Sequence, residues 1–190
     1  GKDTDADAVA PPSNSPPYQV AARKDTYELR IYGAYYVATA PYEKNREQGL
    51  TSLMGYIEGG NEDATTFPAT QPLIMRYVDQ GGGEGGGPAG LSKSMELSLG
   101  AGVSDPPAAT VPGVSVAAAG GELLAAVGFE GIATPELAGQ YRRLLTTALA
   151  ADGLEVEDPS AFRLATYGQL YTLKPRLNEI LLKVKLPGTK

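Results

Sequence analysis

The clearest hydrophobic pattern in the chain lies between residues 43 and 61 (EKNREQGLTSLMGYIEGGN). Its apolar residues share the i, i+3, i+4, i+7 spacing of one helix face: Leu50, Leu53, Met54 and Ile57. The remaining positions are mostly charged or polar, and Gly59 and Gly60 tolerate the backbone angles at which helices end. The pattern predicts an amphipathic helix over 44–57, whose apolar face either packs on a sheet or lines a ligand groove.

Alternating apolar and polar residues predict strands on both sides of this helix. In the first half, residues 27–40 are β-rich with a bend or bulge at Gly33, and further strands are predicted at 73–78 and 91–99. In the second half, strands are predicted at 122–129, 161–167 and 178–186. A second helix is predicted over 135–151, because Thr134-Pro135-Glu136 is a strong helix start and Asp152-Gly153 a helix end. Its expected buried stripe is Leu137, Tyr141, Leu144, Leu145 and Ala148.

The two halves therefore share one order of elements: strand, helix, strand, strand. Two such units are expected to join as one curved antiparallel sheet or barrel with both helices packed outside, which is an α+β fold. Residues 26–187 are predicted to form this single domain, with loop insertions at 80–90 and 100–121. Residues 1–25, which contain four prolines and few apolar side chains, are predicted to be a flexible or extended arm.

Composition restricts the chemistry that the chain can perform. Its 190 residues carry a formal net charge of −6, which argues against nucleic acid and anionic membranes as general partners, and no apolar run is long enough to span a bilayer. Cysteine and histidine are both absent, so Ser-His-Asp and Cys-His catalysis are excluded within the chain, as is a histidine ligand for iron or zinc. The acidic residues show no diagnostic spacing, and we predict neither an enzyme nor a metal site.

Several segments together resemble the SOUL, or haem-binding protein, family. The similar segments are YELRIYGAYYVATA, LMGYIEGGN and FPATQPLIMRY in the first half, and ADGLEVEDPSAFRLATYGQLYTLKPRLNEILLKV in the second. The resemblance covers roughly residues 26–187. It implies a distorted antiparallel β-barrel built from a duplicated unit, with two flanking helices. It also implies binding of haem or another tetrapyrrole in an open, mostly apolar groove. Some members of the family are described as ligating iron through a histidine, which this chain lacks.

In that family the groove lies between the first helix and the loop before the last strand. The resemblance therefore implies two sets of cofactor-binding residues, one from each side of the groove. The helix side consists of Arg46, Leu50, Leu53, Met54 and Ile57, and the loop side of Tyr171, Leu173, Lys174 and Arg176. Leu, Ile, Met and Tyr cover the apolar face of a porphyrin, while Arg46, Lys174 or Arg176 pair with its propionates.

Two functions are consistent with these features of the sequence. The first is a soluble tetrapyrrole-binding or carrier protein. The second is a non-catalytic interaction subunit of a larger plastid complex, in which the arm 1–25 and the loop 100–121 hold protein partners on a SOUL-like scaffold. The Ala/Gly/Pro-rich insertions and the acidic start, taken with the plastid members of the family, favour the chloroplast as the location, with the cytoplasm as the alternative.

Overall fold

A computed structural model of the chain describes residues 14–79, 90–168 and 176–186. This part contains nine strands and two helices. The first half comprises β1 (Tyr18–Arg23), β2 (Glu28–Tyr32), β3 (Tyr35–Pro41), α1 (Arg46–Ile57), β4 (Leu73–Asp79) and β5 (Leu91–Ser98). The second half comprises β6 (Ser115–Ala119), β7 (Glu122–Glu130), α2 (Pro135–Ala151), β8 (Ala161–Thr166) and β9 (Leu177–Lys183). Each predicted strand and helix is present, within a few residues at its ends.

Both helices begin at side chains that satisfy free backbone N–H groups of the first turn. The Asn45 carboxamide oxygen accepts from the Glu47 backbone N–H at 2.9 Å at the start of α1. At the start of α2, the Thr134 hydroxyl accepts from the Leu137 N–H at 3.2 Å. The helix start predicted at Thr134-Pro135-Glu136 is therefore confirmed, and α2 ends at Asp152 before Gly153, whose φ is +71°.

The strands form one antiparallel sheet in the order β1-β2-β7-β9-β8-β4-β5-β3-β6. This order shows the predicted duplication, because β4-β5-β3 in the first half corresponds to β8-β9-β7 in the second. The two units meet where β4 pairs with β8, with Arg76 opposite Arg163. The strand that precedes each unit pairs with the other unit. β2, which precedes the first unit, pairs with β7 of the second, and β6, which precedes the second unit, pairs with β3 of the first. The repeat is thus five elements long, one strand more than the sequence pattern indicated.

The sheet curls into a half-barrel. Among the described residues β1 and β6 form its two edges and do not pair with each other, so the predicted distorted barrel stays open. Helix α1 packs on β3 and β5, while α2 packs on β7 and β9. Both helices contribute to one apolar core on this face of the sheet, in which Leu53, Leu145 and Ile180 are completely buried.

Two predictions about irregular segments are corrected. Residues 18–23 form β1 and pair with β2, so this part of the predicted arm belongs to the sheet and the domain begins before residue 26. The ring centroids of Tyr18 and Tyr32 lie 5.0 Å apart, which fixes the strand on its neighbour. Residues 115–119 form β6, so the predicted insertion at 100–121 contains an edge strand. Of the insertion predicted at 80–90, residues 80–89 lie outside the described part, as do residues 1–13 of the arm.

The sheet face opposite the helices carries three arginine–carboxylate pairs. Arg30 donates to Glu179 at 2.9 Å, Arg76 to Glu96 at 2.8 Å, and Arg163 to Glu122 at 2.7 Å. Each pair has two hydrogen bonds, the arrangement that guanidinium and carboxylate geometry favours. Because each buried charge has its counterion, this face has the components of a stable polar core.

Candidate functional site

A cavity of about 480 Å³ lies beside α1, between that helix and the segments that enter β4, leave β8 and lead into β9. Its wall is formed mainly by apolar side chains and short polar ones. The lining residues are Asn14, Leu50, Met54, Ile57, Ala69, Thr70, Gln71, Leu73, Leu97, Thr166, Gly168 and Arg176. A cavity of this size and lining is typical of a small-molecule site.

Helix α1 supplies three of the predicted groove residues to this cavity: Leu50, Met54 and Ile57. Leu50 and Met54 are one helical turn apart and only partly buried, so their side chains are available to a ligand. Leu53 is placed differently from the prediction, since it has no exposed surface and belongs to the core under the helix. The apolar stripe therefore divides into a part that holds α1 on the sheet and a part that lines the cavity.

Arg46, another predicted groove residue, lies outside the cavity. It is the first residue of α1, and its guanidinium donates to the Tyr77 hydroxyl at 3.2 Å. Tyr77 in turn lies 3.2 Å from the hydroxyl of Tyr42 and stacks on Phe162. Arg46 thus belongs to an aromatic cluster at the N-terminal end of the helix, whereas the cavity is lined by Leu50 and residues C-terminal to it.

Arg176 is the only ionisable residue among the described residues that line the cavity. The backbone positions it just before β9, where its carbonyl accepts a hydrogen bond from the Gly131 N–H at 3.0 Å. Its guanidinium forms no ion pair or hydrogen bond within the described part of the chain. A cation without a counterion beside an apolar surface can pair with the acidic group of a ligand. The other predicted loop residues, Tyr171, Leu173 and Lys174, lie outside the described residues.

A small hydrogen-bonded network holds the rim of the cavity, and sequence reasoning missed it. The Gln71 side chain donates to the Asn14 carboxamide oxygen at 2.9 Å and accepts from the Gly168 N–H at 2.9 Å. Thr70 is fixed by a hydrogen bond of 2.6 Å to the carbonyl of Ser98. The contacts of Gln71 with Asn14 and Gly168 join residues 57 and 97 positions apart, so no local pattern marks them. The one available signal was the segment FPATQP, which carried part of the family resemblance.

The cavity therefore combines the chemistry for an apolar ligand with one acidic group. Leu50 and Met54 can cover an apolar face, and the Arg176 guanidinium can pair with a carboxylate. Met54 is also the only described lining residue with a sulfur atom, which is a weak ligand for iron.

No group of three or more acidic residues in the described part of the chain could hold a metal ion. Neither described helix is long and apolar enough to cross a membrane.

Comparison with solved structures shows the same fold in other proteins. An uncharacterized conserved protein from Listeria innocua has a TM-score of 0.62 and 11% identity, covering 86% of this chain and 94% of that one. A hydrolase from the same organism has a TM-score of 0.61 and 10% identity, with coverages of 87% and 94%. The EcmrR C-terminal domain has a TM-score of 0.59 and 11% identity, with coverages of 88% and 98%. At such identities the likeness shows the fold alone.

Comparison at the level of sequence gives one match. No curated protein matches the chain. A family model described as SOUL heme-binding protein matches residues 13–183. The matched range includes β1, α1 and every described residue that lines the cavity.

Proposed function

The chain belongs to the SOUL haem-binding protein family, and from that membership we propose that it binds a tetrapyrrole, without catalysing a reaction, in the apolar cavity beside α1. The observation that carries the proposal is the lining of this cavity, where the partly exposed Leu50 and Met54 of α1 occur together with Arg176, whose guanidinium has no ion pair or hydrogen bond in the described part of the chain. A tetrapyrrole has the matching chemistry, with a broad apolar ring and acidic propionates at its edge.

The ring face supplies most of the binding free energy in this account. Burial of apolar surface contributes about 25 cal/mol per Å², so a macrocycle that covers the exposed parts of Leu50 and Met54 gains most of its binding free energy there. A propionate paired with Arg176 at the rim remains near water, where an ion pair is worth only about 0–1 kcal/mol. Arg176 therefore orients the ring more than it tightens binding.

Iron adds little to the affinity, because the chain has no histidine or cysteine. Among the described side chains that line the cavity, the Met54 thioether is the one that could approach an iron atom. A haem would contribute its ring and its iron chemistry, while the protein contributes the apolar surface and Arg176. We therefore expect metal-free protoporphyrin to bind within about tenfold of haem, which limits iron ligation to roughly 1.4 kcal/mol.

The test is a parallel titration of the wild type and Met54→Leu with haem and with protoporphyrin IX, followed by absorbance and by quenching of tyrosine fluorescence. Met54→Leu keeps an apolar side chain of similar volume and removes the sulfur, so it serves as the matched variant for ligation. We expect both ligands to bind both proteins with affinities within about tenfold of each other. The proposed function is refuted if neither haem nor protoporphyrin IX binds. The role assigned to the ring is refuted if haem binds a hundredfold tighter than protoporphyrin IX and this binding is lost in Met54→Leu.

The edges of the sheet favour a second candidate function, that of an interaction subunit. β1 and β6, which lie in the two segments predicted to hold partners, are the outermost strands. β6 carries no charged residue and no proline, the usual features that discourage addition of a further strand. A partner could therefore extend the sheet at β6. Co-purification of a protein that Ala117→Lys releases, together with failure of the tetrapyrrole titration, would favour this alternative.

A further inference from the structure

A second cleft, of about 860 Å³, lies on the other half of the molecule, between α2 and the segment that leads into β8. It is separate from the cavity beside α1 and shares no lining residue with it. One wall is a face of α2 and the other is residues 154–159. The lining residues are Gly139, Arg142, Arg143, Thr146, Thr147, Ala150, Leu154, Glu155, Val156, Glu157, Pro159, Leu182 and Lys185.

The duplication places this cleft in the position that corresponds to the cavity beside α1. Each site lies between the helix of its unit and the segment before the next strand, and each reaches a residue of the unit's last strand, Leu97 in β5 or Leu182 in β9. In both helices two buried residues four positions apart anchor the helix on the sheet: Leu53 and Ile57 in α1, Leu145 and Leu149 in α2.

Alignment of these anchors shows how the two sites differ. Leu50 in α1 then corresponds to Arg142 in α2, and Met54 corresponds to Thr146. The two side chains that make the first site apolar are thus replaced by a guanidinium and a hydroxyl in the second. The remaining apolar lining of the second cleft comes from its other wall and its floor, which include Leu154, Val156 and Leu182.

The charges in the second cleft leave two cations without carboxylate partners. Lys185 pairs with Glu155 at 2.9 Å, and Glu157 pairs with Lys183 at 3.3 Å, so both acidic residues of the lining are neutralised. Within the described part of the chain no carboxylate lies within 4.0 Å of Arg142 or Arg143. Asp79 is the acidic residue whose charge acts on Arg142. The lining therefore contains two guanidinium groups that form no ion pair with a described carboxylate.

The structure holds Arg142 in place before any ligand arrives. Its guanidinium donates to the Pro159 carbonyl at 2.8 Å and lies 4.3 Å from the centroid of the Phe162 ring. A guanidinium has five N–H donors, so this contact leaves others available. Arg143 is exposed and forms no hydrogen bond within the described residues. Arg142 is therefore pre-organised at the cleft wall, and the side chain of Arg143 can move toward a bound group.

We propose that this second cleft binds an organic phosphate monoester, whose phosphate pairs with Arg142 and Arg143 and whose apolar body contacts Leu154, Val156 and Leu182. Arginine suits this role because its planar fork matches phosphate oxygens, and Thr147 adds a hydroxyl beside the two cations. The ligand class differs from that of the cavity beside α1, where the lining supplies one cation and a larger apolar face.

The experiment is a calorimetric titration of the full chain with 2-naphthyl phosphate, using 2-methoxynaphthalene as the uncharged matched probe. The informative variant is Arg143→Gln, because this side chain makes no described hydrogen bond and its loss leaves the fold intact. We expect Arg143→Gln and Arg142→Gln each to weaken the phosphate probe by roughly tenfold or more, the range for a charge-assisted hydrogen bond. Arg46→Gln, on α1 and outside both sites, should leave its affinity unchanged.

The outcomes separate this site from the proposed tetrapyrrole site. Loss of 2-naphthyl phosphate binding in Arg143→Gln, with protoporphyrin binding unchanged, supports the second cleft whether or not the first one binds a tetrapyrrole. The proposal is overturned if the phosphate probe binds no better than 2-methoxynaphthalene, or if Arg143→Gln and Arg142→Gln bind it like the wild type. It is also overturned if Arg176→Gln alone weakens the phosphate probe, because the probe would then occupy the cavity beside α1.

Discussion

Leu144 and Leu145 are sequence neighbours with opposite surroundings. Both were predicted to lie on the buried stripe of α2, yet Leu145 has no exposed surface and Leu144 is 47% exposed. Adjacent helical positions differ by about 100°, so one of the pair had to lie nearer the edge of the stripe. The hydrophobic pattern finds such a face, but only the packed sheet determines how far the burial extends.

These two leucines give a matched pair of substitutions. Leu145→Ala should lower the free energy of unfolding by about 2–5 kcal/mol, since it leaves a cavity in the core. Leu144→Ala should change it by less than about 0.5 kcal/mol, because Leu144 is about half exposed and its truncation opens no cavity in the core. Urea unfolding of both variants measures the difference. Equal effects would show that the packing of α2 described above is wrong.

Glu122 gives a prediction about acid stability. Burial raises the pKa of Glu122, but the hydrogen bonds and charge of Arg163 outweigh burial and lower it below 4.5. The stabilisation from this pair is therefore complete above pH 4.5 and is lost as the pH falls through the lower folded value. Glu122→Gln should cost roughly 3 kcal/mol at pH 7, because it leaves Arg163 buried without its counterion.

Thermal unfolding between pH 7 and pH 2.5 tests this prediction. The difference in Tm between the wild type and Glu122→Gln should stay constant in the neutral range and shrink in acid. Glu157→Gln is the control, since Glu157 forms only a surface ion pair with Lys183 and should change Tm very little. A difference that persists unchanged to pH 2.5 would contradict the depressed pKa of Glu122.

At the scale of the elements, the two strands that the sequence analysis missed are the two edges of the sheet. Within the described residues, β1 and β6 each pair with a neighbouring strand on one side only. β6 is built from Ser, Val and Ala, and prolines at 16 and 17 immediately precede β1. β6 therefore shows little apolar alternation. In β1, Tyr18, Val20 and Ala22 alternate with more exposed residues, but the pattern covers only six residues that follow a proline-rich segment. The inner strands, which are covered on both sides, were all predicted.

The contacts of β1 predict the effect of truncating the chain at its N-terminus. Its Tyr18 ring contacts Tyr32, and the Arg30 guanidinium lies 4.4 Å from the Tyr18 ring centroid. Removal of residues 1–24 deletes the strand and these contacts, which together are worth about 2 kcal/mol. We expect a fall in Tm of about 4–8 °C for a chain of this size.

Removal of residues 1–13 alone is the control, because every described pairing of β1 is then kept. Differential scanning calorimetry of the two truncated proteins and the full chain gives the comparison. If removal of residues 1–24 leaves Tm unchanged, β1 contributes nothing to the stability of the domain.

At the scale of the whole molecule, the duplicated order of elements was visible in the sequence because each strand and helix carries its own local period. The exchange of β2 and β6 between the units was not, since strand order depends on contacts between distant residues. The same limit applies to the cavity. Local pattern and resemblance found Leu50, Met54, Ile57 and Arg176, whereas Gln71 and Asn14 meet at the rim only after folding.

The duplication also explains how one fold can hold two sites of different character. The same arrangement of helix, segment and last strand forms a mainly apolar cavity in the first unit and a cleft lined by Arg142 and Arg143 in the second. The backbone sets the place of each site, and the side chains at corresponding helix positions set its chemistry. In the first of these sites, we propose, the ring face of a tetrapyrrole rests on the exposed part of the α1 stripe.

The affinity of Met54→Asp for metal-free protoporphyrin tests this claim most directly. The substitution places a carboxylate against the apolar ring, which costs far more than a change at the rim. Thr51→Asp adds the same charge to an exposed position of the same helix and serves as the control. Fluorescence titration should show Met54→Asp weakened by about a hundredfold, or roughly 2.8 kcal/mol, with Thr51→Asp close to the wild type. Binding of the wild-type strength in Met54→Asp, or an equal loss in both variants, would contradict the account.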